Sequence, residues 1–251
     1  RPAGLDAATV GKMIEEAISK IDVGFSTSVQ INTAPPIILE EKTHYLFPKL
    51  IKKLGAGLNV IIVGGAGGGK SHAAEQAAKA LGMRFFSIGA ASFAHELIGY
   101  RDATREYART DFREAFENGG LLVIEEADAS AADAMLVLNN MLANGYGAFP
   151  DGHVKMSPGF LCVCCTNTDG SGATMQYSGR QRLDGAFLDR FVNQEWAIDP
   201  AIEKIDARGH SEWLLAVRAV RAYATSSGIL DVVATPRAVK FGAKLIEAGE
   251  E

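Results

Sequence analysis

Residues 59–71, NVIIVGGAGGGKS, restrict this chain more than any other stretch of its sequence. An apolar, largely β-branched run gives way to Gly64, Gly65, Ala66, Gly67, Gly68 and Gly69, six residues that share a single methyl group. Lys70 and Ser71 follow and lead into a helical pattern, AAEQAAKAL. The segment fits G-x-x-x-x-G-K-[ST] through Gly64, Gly69, Lys70 and Ser71, with a strand before it and a helix after it, the context that gives this motif its meaning. Backbone so bare can turn its N–H groups inward around a phosphate, and the helix N-terminus, running on through His72, adds its partial positive charge. Lys70 is then placed to reach the β- and γ-phosphates, and the Ser71 hydroxyl to ligate Mg²⁺. A glycine-rich turn that binds nothing would need neither the lysine nor the flanking elements.

The rest of the chain repeats the strand-then-helix theme. Apolar runs at 59–63, 84–88, 121–124 and 160–165 alternate with helical patterns. Because the runs are continuous rather than alternating, they predict parallel strands covered on both faces, and hence an α/β fold. An amphipathic helix is expected over residues 45–54, closed by the GAG of residues 55–57. A further helix is expected over residues 6–20, with Asp6 as N-cap, followed by an extended arm ending at Pro35 and Pro36. Beyond Pro200 only helices are expected: Trp213, Leu214, Val217 and Val220 recur at helical spacing, and another helix opens at Thr235 with Pro236 in its first position. The chain therefore divides into an arm (1–36), an α/β domain (37–199) and a helical segment (200–251), and reads as part of something longer. A hydrophobic share of 47% is enough for a real core. No run of about 18 apolar residues is present, which excludes a membrane-spanning helix. The formal charge of −5 advertises no global basic field for nucleic acid. Cys162, Cys164 and Cys165 lie too close together for a disulfide framework and lack metal-ligand spacing; they read as small residues of a buried strand in an intracellular, cytoplasmic protein.

A phosphate loop needs a second, carboxylate-bearing strand to hold magnesium and orient water. LLVIEEAD, residues 121–128, supplies it. Glu126 takes the place of the general base that activates the attacking water. Glu125 takes the place of the magnesium-shell carboxylate, where an aspartate is more usual, and its extra methylene weakens metal binding or turnover. Asn167, just past the strand 160–165, can hydrogen-bond the γ-phosphate or the water. GRQRLDGAFLDRF brings Arg180, Arg182 and Arg190, and TPRA brings Arg237.

Taken in order, GGAGGGKS, LLVIEEAD, TNTDGSG, LDGAFLDRF and TPRA resemble an AAA+ ATPase, in particular the MoxR/CobS-like branch of phages and bacteria. HYLFPKLIKKLGAGLNVIIVGGAGGGKS, GYRDATREYARTDFREAFENGG and LNNMLANGYGAFPDGHV strengthen the likeness, which covers residues 40 to 195 best. The resemblance implies a nucleotide-binding α/β domain, a small α-helical lid, and a homo-oligomeric ring, usually of six subunits, with ATP and Mg²⁺ at subunit boundaries. Position by position it makes Lys70 and Ser71 the Walker A pair and Glu125 and Glu126 the Walker B pair. Asn167 becomes sensor 1, Arg190 a trans-acting arginine finger, with Arg180 and Arg182 close by in sequence, and Arg237 sensor 2. It also suggests a protein partner, such as one with a von Willebrand A-type domain or a metal-chelatase complex.

Residues 92–112 fall where this branch has its central-pore elements. Leu97, Ile98 and Tyr100, beside Gly99, would either grip a polypeptide or finish a helix packed on the sheet. Three functions are expected to compete: a protein-remodelling ring ATPase; a nucleic-acid motor whose channel carries Arg101, Arg105, Arg109 and Arg113; and a low-turnover nucleotide switch, suggested by Glu125.

Overall fold

The computed structural model describes residues 27–29, 37–229, 232 and 234–250. The helix expected over residues 6–20 and the proline end of the arm lie outside the described residues.

Its centre is a five-stranded, all-parallel sheet. The strands are β3 (Val60–Val63), β4 (Phe85–Ile88), β7 (Gly120–Ile124), β10 (Phe160–Thr166) and β11 (Val192–Glu195), in the spatial order β11-β3-β10-β7-β4. All seven residues of β10 and all five of β7 are buried. Successive side chains point to opposite faces, so each apolar run serves two cores at once. Ile61, Leu122, Ile124, Cys162 and Cys164 face one layer, made by α3 (Ala94–Ile98), α4 (Asp111–Asn118), α5 (Ala132–Asn144) and the rings of Phe112, Phe116 and Phe160. Val60, Ile62, Leu121, Val123, Val163 and Cys165 face the other, made by α1 (Phe47–Gly55) and α2 (Lys70–Ala80). Alanines 73, 74, 77 and 78 let α2 lie close on the sheet. The three cysteines are free and buried, as their sequence context suggests.

Each of the four expected strands begins or ends one residue away from its apolar run, within the ordinary play of element boundaries. The fifth, β11, is an edge strand of polar character (VNQE) that shows no apolar run. Three short antiparallel pairs decorate the domain: β1 (Thr27–Val29) with β2 (Ile37–Leu39), β5 (Tyr100–Arg101) with β6 (Tyr107–Ala108), and β8 (Tyr146–Phe149) with β9 (Gly152–Lys155). A four-residue helix, α6 (Gly185–Leu188), precedes β11.

After Trp196 the chain is helical: α7 (Pro200–Asp206), α8 (Ser211–Ser226) and α9 (Pro236–Glu247). Asp199 caps α7, accepting from the N–H groups of Ala201 and Ile202, and the same carboxylate accepts from Tyr45 N–H. Leu214, Val217 and Val239 close a small core of their own. Glu203, 2% exposed, anchors α8 through Arg218 and Arg221. Among the described residues no helix is long and apolar enough to cross a membrane.

The expectation for Leu97 resolves in favour of packing: it is fully buried in α3. Ile98 is half-buried against the same core, while Tyr100 stands exposed on β5. The arginines of the expected basic channel are largely committed within the fold. Arg113 is buried over the Phe149 ring and paired with Asp151, Arg109 pairs with Glu114 and Glu117, and Arg101 donates to the carbonyls of Pro150 and Arg105.

Candidate active site

Parallel strands deliver their C-terminal ends to one edge of the sheet, and that edge is where α/β folds build ligand crevices. Here β3, β7 and β10 lie side by side and end together. Val63 is level with Thr166, and Ile124 with Cys164. The glycine loop, the two glutamates and Asn167 therefore emerge at one place, although they are about a hundred residues apart in sequence.

The loop after β3 is held from several sides. Gly64 donates to Thr166 O, and a Cβ at Gly64 would stand 2.1 Å from Trp196 O, so no side chain fits there. The Trp196 indole donates to Gly68 O at 2.8 Å, and the Ala66 N–H reaches the Tyr177 hydroxyl at 3.3 Å. Gly67 and Gly69 have φ of +75° and +79°, left-handed values that favour glycine. Gly69 then caps α2, whose first residue is Lys70.

Lys70 is 9% exposed, and its ammonium donates to Gly64 O (2.6 Å), Gly65 O (3.1 Å) and Asn167 Oδ1 (3.0 Å). All three partners are neutral. Burial pushes its pKa below the ordinary lysine value, and nearby Glu125 and Asp128 pull the other way. An ammonium desolvated among neutral acceptors favours an incoming anion.

At the end of β7, Glu125 N–H donates to Ile88 O. Glu126 has φ +51° and ψ +42°, a left-handed conformation unusual for a non-glycine residue, and it leaves the side chain 60% exposed at the cleft. Two residues on, Asp128 is fully buried, and its Oδ2 accepts from Asn167 N–H (3.0 Å), Thr168 N–H (2.9 Å) and the Thr168 hydroxyl (2.9 Å). This carboxylate fixes the turn that carries Asn167.

The glycine loop, both glutamates and Asn167 border a cleft of about 710 Å³, roofed by α7 and the start of α9. Of the residues singled out in the sequence, Ala66, Gly67, Gly68, Gly69, Lys70, Ser71, His72, Glu125, Glu126, Asn167 and Arg237 line it. Gly64 and Gly65 lie just behind, giving their carbonyls to Lys70. His72 stands at the rim, 2.9 Å from Glu41, and the Arg237 stem lies close to Gly67. Arg190 is apart from them: it follows α6 and donates to Ala186 O, while Phe187, tilted against the Phe191 ring, pins the helix.

Four contributors were assigned no role from the sequence. Asp128 organises the Asn167 turn, and Arg180 pairs with Glu126 at 2.9 Å. Trp196 and His44 stack 4.1 Å apart behind the loop, and His44 Nε2 lies 2.9 Å from Ala197 O. Asp128, as the acid that ends LLVIEEAD, and Arg180, as one of three arginines in GRQRLDGAFLDRF, left a trace, but neither trace names the partner that folding supplies.

The arrangement fits a nucleoside triphosphate with Mg²⁺. The glycine loop at a helix N-terminus and the anion-seeking ammonium suit phosphates, and the cleft volume lies in the range of small-ligand sites. Ser71 and Glu125 offer hard oxygen ligands. Mg²⁺ needs few protein ligands of this kind, since it keeps waters and phosphate oxygens as ligands.

Residues 59–191 match the model of the AAA domain, dynein-related subfamily. No curated protein matches the sequence. Among solved structures, the fold is similar to NtrX from Brucella abortus, with a TM-score of 0.52 and 16% identity over 82% of this chain and 46% of that one. A candidate ATPase from Cytophaga hutchinsonii aligns with a TM-score of 0.49 and 16% identity over 81% of this chain and 58% of that one. The chain thus spans about half the length of these proteins. The family match covers more than half of the chain, from the strand entering the glycine loop to the residue after Arg190, and with the parallel sheet it establishes that the chain belongs to the AAA+ ATPases, in the dynein-related subfamily.

Proposed function

We propose that this protein is an ATP-hydrolysing subunit of a homo-oligomeric ring of the MoxR/CobS-like kind, which spends ATP on remodelling or activating a protein partner. The observation that carries the reading is the convergence of Lys70, Glu125, Glu126 and Asn167 on one cleft, with the Lys70 ammonium hydrogen-bonded to neutral groups alone. In this reading the loop amides and Lys70 bind the phosphates, and Arg237 closes over them from α9. Ser71 and Glu125 would hold Mg²⁺. Bound Mg²⁺ would neutralise phosphate charge during transfer. Glu126 accepts the proton of the attacking water, and Asn167, steadied by Asp128, orients that water.

Arg190 is absent from the cleft of its own chain and lies beyond α6. That position supports a role at the site of a neighbouring subunit, where a guanidinium would stabilise charge developing on the phosphoryl group. The channel arginines, engaged as described, favour a polypeptide over a nucleic-acid partner. A von Willebrand A-domain protein remains the partner class suggested by the resemblance.

Phosphate release in the presence of Mg²⁺ and ATP tests the reading. Glu126→Gln should keep ATP bound and lower turnover about 10²- to 10⁴-fold, the worth of a positioned general base. Undiminished turnover in that variant would contradict it, and absence of turnover in the assembled wild type would favour a nucleotide switch.

A further inference from the structure

Among the described residues the Glu126 carboxylate has one charged partner, and it comes from a distant part of the chain: Arg180 Nη1 donates to Glu126 Oε2 at 2.9 Å. The two side chains differ in their freedom. Glu126 is 60% exposed on a left-handed turn, whereas Arg180 is 12% exposed. The guanidinium is also braced elsewhere. Its Nε lies 3.6 Å from Oδ2 of the fully buried Asp128, and its Cζ lies 5.9 Å from the centre of the Tyr177 ring, whose hydroxyl reaches the glycine loop. The next residue, Gln181, donates its N–H to Asp128 O at 2.6 Å, so the backbone under Arg180 is tied to the same turn.

We propose that Arg180 is a positioning residue, which holds the Glu126 carboxylate from within the same chain and ties it through Asp128 to the turn that carries Asn167. The inference rests on the reading of Glu126 as the base. An exposed glutamate samples several rotamers, and a base must be held within hydrogen-bond reach of the water it activates. The Arg180–Asp128 bridge supplies that restraint, because Asp128 Oδ2 is also the acceptor that fixes Asn167 and Thr168. Base and sensor then share one rigid support. Arg180 is thereby distinct from Arg190, which donates to Ala186 O and does not enter this network.

The test uses Arg180→Ala and Arg180→Lys in the full chain, with Glu126→Gln and Lys70→Ala beside them. The proposal expects both Arg180 variants to bind ATP within about twofold of wild type. In Arg180→Ala, kcat falls roughly 10- to 100-fold with KM little changed, the effect of a misplaced reacting group. Arg180→Lys, which keeps the charge, recovers part of the loss. Co-assembled Arg180→Ala and Lys70→Ala subunits show no more activity per intact phosphate loop than Arg180→Ala alone, because each intact phosphate loop lacks its own Arg180. Unimpaired kcat in Arg180→Ala overturns the proposal, as does recovery of activity on mixing, which would place Arg180 across a subunit boundary. Equal loss of ATP binding and turnover in both Arg180 variants overturns it too, by showing a structural role alone. If Glu126→Gln turns over normally, the reading of the base fails instead; if Glu126→Gln is inactive and Arg180→Ala is not, the fault lies with Arg180 only.

Discussion

Glu125 carries one methylene more than the aspartate the resemblance leads one to expect, and its backbone cannot retreat to compensate, because its N–H is tied to Ile88 O. The carboxylate is thus carried about one bond length further into the cleft. Glu125→Asp should therefore leave steady-state turnover equal or higher, and a large loss would mean that the site has been shaped around the longer side chain. Lys70 gives the complementary prediction. Its ammonium has neutral partners and a pKa lowered by burial, so it has more to gain from an anion than from the loop. Lys70→Ala removes a charge-assisted contact worth about 1.5–3 kcal/mol, and ATP affinity measured by calorimetry should fall at least roughly 10-fold. Unchanged affinity in a folded Lys70→Ala protein would remove the basis for the phosphate site.

Elements differ in how plainly the sequence announces them. β3, β7 and β10 are buried on both faces, so their apolar runs are unbroken and legible, as is the glycine loop that β3 feeds. The edge strand β11 was not legible: of Val192, Asn193, Gln194 and Glu195 only Gln194 is buried, and an edge needs no apolar run. The hairpins β5–β6 and β8–β9 are two to four residues long, too short for a period to register. The motif residues of the cleft were readable because their chemistry demands fixed spacing along the chain. The pairings of Arg180, Asp128, Trp196 and His44 were not, because the partners are supplied by folding across as many as 153 residues. The segment before α1 illustrates this and yields a pH prediction. His44, 4% exposed, stacks on Trp196, accepts from Leu46 N–H through Nδ1 and bonds Ala197 O through Nε2. Burial lowers its pKa below 6.5, while the Ala197 carbonyl and Asp199 act in the opposite direction. Below pH 6.5 the unfolded chain therefore binds a proton that the folded one resists, and stability is lost as pH falls. The Asp199 pKa is depressed, because its backbone donors outweigh burial; the stability it adds is present above pH 3.8 and lost only below that. Urea midpoints at pH 7.5 and 5.5 should thus fall more in the wild type than in His44→Asn, where the titrating ring is gone, and equal slopes would contradict this account.

At the scale of the whole molecule, the chain builds a cleft lined by the glycine loop, two glutamates and Asn167, while Arg190 stands outside it beyond α6. In the proposed ring, a site divided in this way would make hydrolysis depend on assembly, since one subunit would bind the nucleotide and another would complete the charge around it. ATP binding by isolated Arg190→Ala subunits should be nearly unchanged, with hydrolysis reduced about 10³- to 10⁵-fold, the worth of a trans arginine in phosphoryl transfer. The most direct measurement mixes Arg190→Ala subunits with Lys70→Ala subunits, each inactive alone, and follows phosphate release from rings shown to contain both. Some interfaces in those rings pair an intact phosphate loop with an intact Arg190, so activity should partly return, in proportion to such interfaces. Co-assembled rings that stay as inactive as their parents would contradict the shared site and confine Arg190 to a role inside its own subunit.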